Sequence, residues 1–230
     1  MEVHVSEAAP ERGDRFAAAR RRMVERDLVT RGVRDPAVLA AMGEVPREAF
    51  VPIELVDRAY DDGPLPIGEG QTISQPFVVA LMLEAAELSF GARLLEVGTG
   101  SGYAAAVAAR LGVRVRSIER LAGLADAARA RLADLGVADV EVRCGDGTLG
   151  WPEAAPFDAV VVTAGGPTVP PTLLEQLAEG GRLVMPVGLR DGHQELLRVR
   201  RDGDTYRTED LGGVQVVPLI GAEGWRVKAT

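Results

Sequence analysis

Cysteine, histidine, positive charge and long apolar runs are all scarce in this chain. Its 230 residues hold one cysteine, Cys144, which excludes an intrachain disulfide and fits a reducing compartment. The two histidines, His4 and His193, lie outside every motif described below, so no strong general base appears in them. No stretch approaches the ~18 consecutive apolar residues of a membrane-spanning helix. The opening Met1-Glu2-Val3-His4 lacks the basic start and apolar run of a secretory signal, and a cytoplasmic protein is expected. Lysine and arginine number 26 against 34 aspartates and glutamates, a formal net charge of −8. That balance argues against a general binder of nucleic acid or anionic membrane, though it says little about a local basic patch. Internal repeats, low-complexity segments and obvious linkers are also missing, so a single domain is expected.

What is present is an ordinary globular composition, 47% hydrophobic and 26% charged, in a chain long enough to bury a core. Residues 1–14 are polar and mixed and are expected to be a loose tail. Residues 15–220 are expected to form the domain, in three parts. In 15–90 the pattern predicts a helix over 16–31, with Phe16, Met23, Val24 and Leu28 near one face and Arg20-Arg21-Arg22 on a solvated face, a substrate role being the alternative for that cluster. Asp35-Pro36 signals a second helix running to Met42. Residues 61–76, rich in Gly and Pro, predict a long ordered loop, and 76–88 a further helix. In 91–190 apolar strands (93–97, 114–118, 140–143, 159–163, 182–186) alternate with helices (102–110, 121–135, 171–177). That alternation predicts an α/β fold, a mostly parallel sheet with helices on both faces. Its ligand site would lie beyond the C-terminal strand ends, near the topological switch point. In 191–220 three strands (195–200, 205–208, 214–217) without helices predict an antiparallel edge, and 221–230 a C-terminal tail.

The most informative stretch is Leu94-Leu95-Glu96-Val97-Gly98-Thr99-Gly100-Ser101-Gly102-Tyr103. An apolar run ends in an acid, glycines follow at every second position, and an Ala-rich helix begins. Glycine permits positive φ and close approach of a ligand to bare backbone, and a helix N-terminus offers free N–H groups. The G-x-G-x-x-G of dinucleotide sites places its third glycine one residue later than Gly102. The E-x-G-x-G-x-G form looks like motif I of S-adenosyl-L-methionine methyltransferases; the plainer alternative is a glycine-rich strand–helix turn without a ligand. The next strand ends in Glu119-Arg120, about twenty residues on, where a carboxylate could accept from a ribose diol or simply cap the helix starting near Leu121. The third strand ends in Asp146-Gly147, suited to an adenine amino group and ring, or to a simple turn. The fourth ends at Thr163.

The resemblance then narrows. Pro64-Leu65-Pro66-Ile67-Gly68-Glu69-Gly70-Gln71-Thr72-Ile73-Ser74-Gln75-Pro76 resembles the signature of protein-L-isoaspartate (D-aspartate) O-methyltransferases. So do Met23-Val24, Arg31-Gly32, Val45-Pro46-Arg47 with Phe50-Val51-Pro52, and Ala59-Tyr60. Downstream, Ala155-Pro156-Phe157-Asp158, Gln176-Leu177, Gly180-Gly181, Pro186-Val187-Gly188 and Val217-Pro218-Leu219 match in order, from about Phe16 to Leu219.

The resemblance implies a Rossmann-like class I methyltransferase that uses S-adenosyl-L-methionine, releases S-adenosyl-L-homocysteine and needs no metal. Ser74 would be the catalytic residue. Thr72, Ile73, Glu96, Gly98, Thr99, Gly100, Gly102, Glu119, Arg120, Asp146, Gly147 and Thr163 would hold the cofactor, and Gln75, Val217, Leu219 and Ile220 the substrate. The reaction implied is methylation of the α-carboxyl of L-isoaspartyl, or the β-carboxyl of D-aspartyl, residues in damaged proteins and peptides. The ester then closes to a succinimide, whose hydrolysis returns some normal aspartate. The residues suit that chemistry: a carboxylate is already ionised at pH 7, and Ser74, with no neighbouring histidine, reads as a donor that orients it rather than as a nucleophile. A helix-capping hydroxyl is the plainer alternative. Partners would be isoaspartyl proteins or peptides, without nucleic acid or membrane, and the protein a monomer.

Some positions depart from the family pattern or are silent about it. Thr163-Ala164-Gly165-Gly166-Pro167 carries extra glycine where the family is Ala-rich, and Gly63 stands where a larger side chain is common. Trp225 reads as packed on the core or over the substrate groove, and Cys144 as a small buried hydrophobe. Two other functions compete: a dedicated enzyme esterifying one Asp of a ribosomal peptide natural product, leading to an aspartimide, and a non-catalytic binding protein. An intact Ser74 and glycine turn argue against the last.

Overall fold

The computed structural model describes residues 15–226. The tail expected over 1–14, His4 included, and the end of the C-terminal tail, 227–230, lie outside the described residues.

The N-terminal segment packs helical stretches against one another and against the helices over 76–85 and 103–110. Helix α1 (Ala17–Arg22) runs directly into a π-helical turn over Met23–Leu28 and a 3-10 turn over Val29–Arg31, where a uniform helix was expected. The wider turn lets Met23 and Leu28, five residues apart, both reach the core. Gly32 ends the stretch with φ of 107°. The Arg20–Arg22 cluster is not uniformly solvated: Arg20 folds inward onto Tyr60 and Glu48. Asp35 caps α2 (Pro36–Glu44) as its position predicts, accepting from the Ala37 and Val38 amides at 2.8 and 3.3 Å.

The expected loop over 61–76 contains a hairpin, β1 (Leu65–Gly68) and β2 (Gln71–Ile73), which turns through Glu69 and Gly70, both at positive φ. Its glycines and prolines masked the strands because neither is long enough to show a period of two. Helix α3 (Pro76–Ala85) follows at once, with Pro76 in its first turn.

Five strands then alternate with helices: β3 (Arg93–Val97), α4 (Tyr103–Arg110), β4 (Arg114–Glu119), α5 (Ala122–Asp134), β5 (Val140–Cys144), β6 (Phe157–Val162), α6 (Pro171–Glu175) and β7 (Leu177–Gly188). Two long strands close the chain, β8 (Gln194–Asp202) and β9 (Thr205–Val214). They form one seven-stranded sheet in the order β5-β4-β3-β6-β7-β8-β9, parallel through β7 and antiparallel beyond it. This is the Rossmann-like methyltransferase architecture. β3 is buried on both faces, as its unbroken apolar run requires: Leu94 packs against α3 and α4, Leu95 and Val97 on the other side with Val160 and Leu173.

Three further differences have local causes. β7 begins at Leu177, not 182, because Leu177 pairs with Phe157 before an irregularity at the glycine pair 180–181. The helix expected to reach 177 therefore stops at Glu175. No separate strand forms over 214–217: Val214 ends β9, and the segment after it leaves the sheet edge to cross toward β6, where Pro218 bridges Gly165. Cys144, expected to be buried, is exposed at the end of β5. No helix among the described residues is long and apolar enough to cross a membrane.

Candidate active site

Strand order reverses at β3, which has β4 on one side and β6 on the other, so the crevice beyond its C-terminal end is the natural ligand site of this topology. The glycine turn occupies that end. Gly98, Gly100 and Gly102 have φ of 97°, 54° and 91°. Gly98 also has no room for a side chain, since a Cβ there would run into the Thr163 hydroxyl. That hydroxyl in turn donates to the Gly98 carbonyl at 2.7 Å, pinning the turn to the end of β6. Gly102 then serves as the N-cap of α4.

Parallel register places Ser117 of β4 directly opposite Glu96 of β3. The Ser117 hydroxyl donates to the Glu96 carboxylate and is itself 2.6 Å from the Thr99 hydroxyl, making a short buried polar chain under the turn. Burial pushes the Glu96 carboxyl up to about 8; the Ser117 bond opposes this, and the nearby Glu119 charge adds to it. Glu119, two residues along the same face from Ser117, divides its oxygens. One accepts from the Gly100 amide at 2.9 Å, the other from the Leu121 amide at 3.0 Å at the start of α5. The carboxylate thus joins the glycine turn to the next helix, and its capping role does not remove it from the crevice wall.

One cleft gathers most of the residues singled out from the sequence. Thr72, Ile73, Ser74, Glu96, Gly98, Thr99, Gly100, Glu119, Arg120, Gly147, Thr163, Val217, Leu219 and Ile220 all line it. Gln75, Gly102 and Asp146 do not. Gln75 turns outward, its amide donating to Asp62 Oδ1 at 2.6 Å. Asp146 holds the Thr148 amide and hydroxyl on Oδ1 and accepts from the Ala222 amide at 2.7 Å on Oδ2. The acid expected at an adenine ring is engaged by the C-terminal segment, while its neighbour Gly147 reaches the wall.

Ser74 leaves the hairpin two residues before α3. The helix N-cap is Gln75 and makes no side-chain capping bond, and the Ser74 hydroxyl has no hydrogen-bond partner among the described residues. The capping role considered for it does not occur; its carbonyl, by contrast, is held by Arg47 Nη2 at 2.8 Å. Trp225 is half-buried, and its indole N–H donates to the Gly165 carbonyl at 3.1 Å, which fixes the C-terminal segment across the end of β6.

The sequence left several lining residues unmarked. Val79, Met82 and Leu83 come from the buried face of α3, and Tyr103 opens α4. An apolar face on a helix directly after the Ser74 loop is the signal that could have placed the first three. Among the described residues, no group of three or more His, Cys, Asp or Glu side chains could hold a metal ion.

Comparison with known proteins identifies the family and the fold. The family model for protein-L-isoaspartate (D-aspartate) O-methyltransferase matches residues 19–224. Protein-L-isoaspartate O-methyltransferase 1 of Rhodopseudomonas palustris strain HaA2 is 59% identical over 211 residues, 91% of this chain and 86% of that protein. Protein-L-isoaspartate O-methyltransferase 2 of Pelobacter propionicus is 62% identical over 204 residues, 88% of this chain and 91% of the other. A solved protein-L-isoaspartate O-methyltransferase superposes with a TM-score of 0.80 at 32% identity, covering 89% of this chain and 67% of its own. A Plasmodium falciparum structure carrying the same family name, solved with S-adenosyl-L-homocysteine, gives 0.75 at 26% identity over 87% of this chain and 98% of its own. The chain belongs to the protein-L-isoaspartate (D-aspartate) O-methyltransferase family.

Proposed function

We propose that this protein transfers a methyl group from S-adenosyl-L-methionine to the α-carboxyl of L-isoaspartyl residues, or the β-carboxyl of D-aspartyl residues, in damaged proteins and peptides. The ester then leads through a succinimide to repair. The observation that carries this reading is the meeting, in one cleft, of two signatures far apart in sequence: the glycine turn after β3 and the hairpin loop ending in Ser74. Family membership supplies the acceptor class.

The residues present suit the cofactor. Val97 and Ile118 offer apolar wall, Glu119 a carboxylate acceptor, and Glu96 a buried acid able to answer a cation. When bound, S-adenosyl-L-methionine supplies an electrophilic methyl carbon on a sulfonium. Glu96, Gly98, Thr99, Gly100 and, through the start of α4, Gly102 would hold its methionine end. Glu119 and Arg120 would flank the ribose. Gly147 would lie against the adenine, and Asp146, which has one acceptor position left on Oδ2, would lie just behind it. Thr72, Ile73 and Thr163 would close the wall beside the reacting centre.

No base is needed, because the attacking carboxylate is ionised at neutral pH. Ser74, with its hydroxyl unengaged, would donate one hydrogen bond to that carboxylate and fix the direction of its attack. Val217, Leu219 and Ile220 would support the acceptor chain, and Gln75 would have to leave Asp62 to reach it. Positioning of this kind is worth about 7–11 kcal/mol in well-oriented intramolecular reactions. The same reading makes the protein a cytoplasmic monomer acting on proteins or peptides, with no nucleic-acid or membrane partner.

The deciding experiment offers isotope-labelled S-adenosyl-L-methionine with two peptides that differ in one residue, L-isoaspartate against L-aspartate. Labelling of the isoaspartyl peptide alone supports the proposal. Labelling of neither, with the cofactor still bound in calorimetry, overturns it in favour of an enzyme dedicated to one aspartyl peptide.

A further inference from the structure

Among the described residues, Arg47 is the largest side chain buried completely, with 0% of its surface exposed. It lies in a 3-10 turn (Arg47–Phe50) far from the glycine turn in sequence. Nothing in the cofactor or acceptor chemistry above uses it, and it does not itself line the cleft. Its partners are unusual for a buried cation. Nε donates to the Ala59 carbonyl at 2.8 Å and Nη2 to the Ser74 carbonyl at 2.8 Å, while Nη1 is buried with no hydrogen-bond partner. The guanidinium carbon stands 4.9 Å from the centre of the Tyr103 ring. No carboxylate pairs with it among the described residues. The adjacent Glu48 is spoken for, bridging Arg20 at 2.9 Å and accepting from Tyr60.

A buried guanidinium held by carbonyls rather than a carboxylate is costly, and a well-packed apolar side chain of similar volume is often no worse for stability. Its local value lies in geometry. A planar fork holds two carbonyls at fixed angles at once, whereas the three rotatable donors of an ammonium on a flexible stem fix no such angle. Here the two carbonyls belong to segments fifteen residues apart, and one of them is that of Ser74. Arg47 therefore clamps the backbone that aims the Ser74 hydroxyl. The face of the same guanidinium rests on Tyr103, the first residue of α4 and a wall of the cleft. One side chain touches both the acceptor loop and the start of the cofactor-side helix.

We propose that Arg47 is a positioning residue for methyl transfer, setting the Ser74 loop relative to the first turn of α4. This rests on the reading of Ser74 given above. It acts through the backbone and touches neither substrate nor cofactor. Misplacement by about 1 Å can cost on the order of 10²-fold in rate, so its loss should appear in kcat and leave cofactor binding alone.

The test uses the full chain with Arg47→Met, which keeps apolar volume and removes the fork, and Arg47→Lys, which keeps the charge and three donors but loses the planar fork. Three quantities are read: kcat and KM for an isoaspartyl peptide, the Kd of S-adenosyl-L-methionine by calorimetry, and amide hydrogen exchange over 71–75 and 93–97. For Arg47→Met, kcat should fall on the order of 10²-fold. Its cofactor Kd should stay within about 3-fold, the scatter expected of an uninvolved site. Exchange should rise over 71–75 and not over 93–97. Arg47→Lys should fall between this variant and the natural protein in both kcat and exchange. Unchanged kcat, a cofactor Kd weakened as much as kcat, or protection lost equally over both segments would each overturn the proposal. So would failure of both variants to fold, which would make Arg47 a support of the fold alone; if only Arg47→Met unfolds, Arg47→Lys decides on the same readouts. If the natural protein labels no isoaspartyl peptide, the proposed function falls. The exchange pattern then still reports whether Arg47 holds the Ser74 loop.

Discussion

Ser117 stands directly opposite Glu96 in the parallel register of β3 and β4 and donates its hydroxyl hydrogen to that fully buried carboxylate. The pair lies beneath the glycine turn, with Glu96 in the lining of the cleft and Ser117 buried behind it. A hydroxyl donor there favours the ionised form, but burial outweighs it and pushes the carboxyl up to about 8.

A pH dependence of stability follows from that shift. Between an unfolded value of about 4.3 and about 8 in the fold, the folded state holds the Glu96 proton and the unfolded state does not. Stability contributed by this group is therefore greatest below the unfolded value and falls as pH rises through the window, flattening above about 8. Glu96→Gln should flatten that slope and raise the Tm at the alkaline end, by roughly 2–4 °C per kcal/mol for a chain of this size. Thermal unfolding of both proteins across the window measures it; identical slopes would mean that Glu96 is already ionised in the fold. A cation entering beside Glu96 should displace the proton, so cofactor binding near neutral pH should release one. Calorimetry in buffers of different ionisation enthalpy reads that release.

Ser74→Ala should lower kcat by about 10-fold or more, the loss of one hydrogen bond to a charged group worth about 1.5–3 kcal/mol. Cofactor affinity should hold, because the role proposed for the hydroxyl is toward the acceptor carboxylate and not toward the cofactor. An equal loss of cofactor affinity in calorimetry would make Ser74 a cofactor residue instead.

Glu119→Gln tests the crevice wall. The amide keeps the shape but replaces one acceptor with a donor that faces the Gly100 or the Leu121 amide, both now 2.9 and 3.0 Å from the carboxylate. Cofactor Kd should weaken roughly 10-fold, about 1.4 kcal/mol, with the peptide KM little changed. Unaltered cofactor Kd would confine Glu119 to capping α5.

Gly98→Ala should be among the most damaging single changes in the turn. The backbone there has φ of 97°, and a Cβ would collide with the Thr163 hydroxyl that holds the turn. Backbone strain of this kind costs about 1–3 kcal/mol, and the collision adds to it. Denaturant unfolding should show a lowered midpoint, and cofactor binding should weaken in parallel. Gly136→Ala, with φ of 69° and open space around it, is the control that carries the strain without the collision.

Much of the core was legible because its determinants are local. β3, the glycine turn and α4 follow from residues within one short stretch: an apolar run buried on both faces, glycines where φ must be positive, and an Ala-rich helix start. Asp35 before Pro36 marked a helix cap in the same way, and the cap is there. The hairpin β1–β2 was missed because its strands are too short to declare a period. The early start of β7 was missed because Leu177 gains its strand partner, Phe157, only across the sheet.

The sequence by itself determined the parallel sheet with its antiparallel edge, which is written in spacing and periodicity along the chain, and its resemblance to known signature segments pointed to the family and to the residue types gathered around the cleft. Only the tertiary structure decided which polar groups those residues meet. Asp146 offers its oxygens in the right place on the chain, but the amide of Ala222, seventy-six residues later, engages one of them. Gln75 sits in the signature loop but turns to Asp62. Arg47, part of a recognisable signature, carried no hint that it would be buried under Ser74 with its fork on two distant carbonyls. A side chain's chemistry is fixed by its type, whereas its partners depend on folding having brought distant donors and acceptors within about 3 Å.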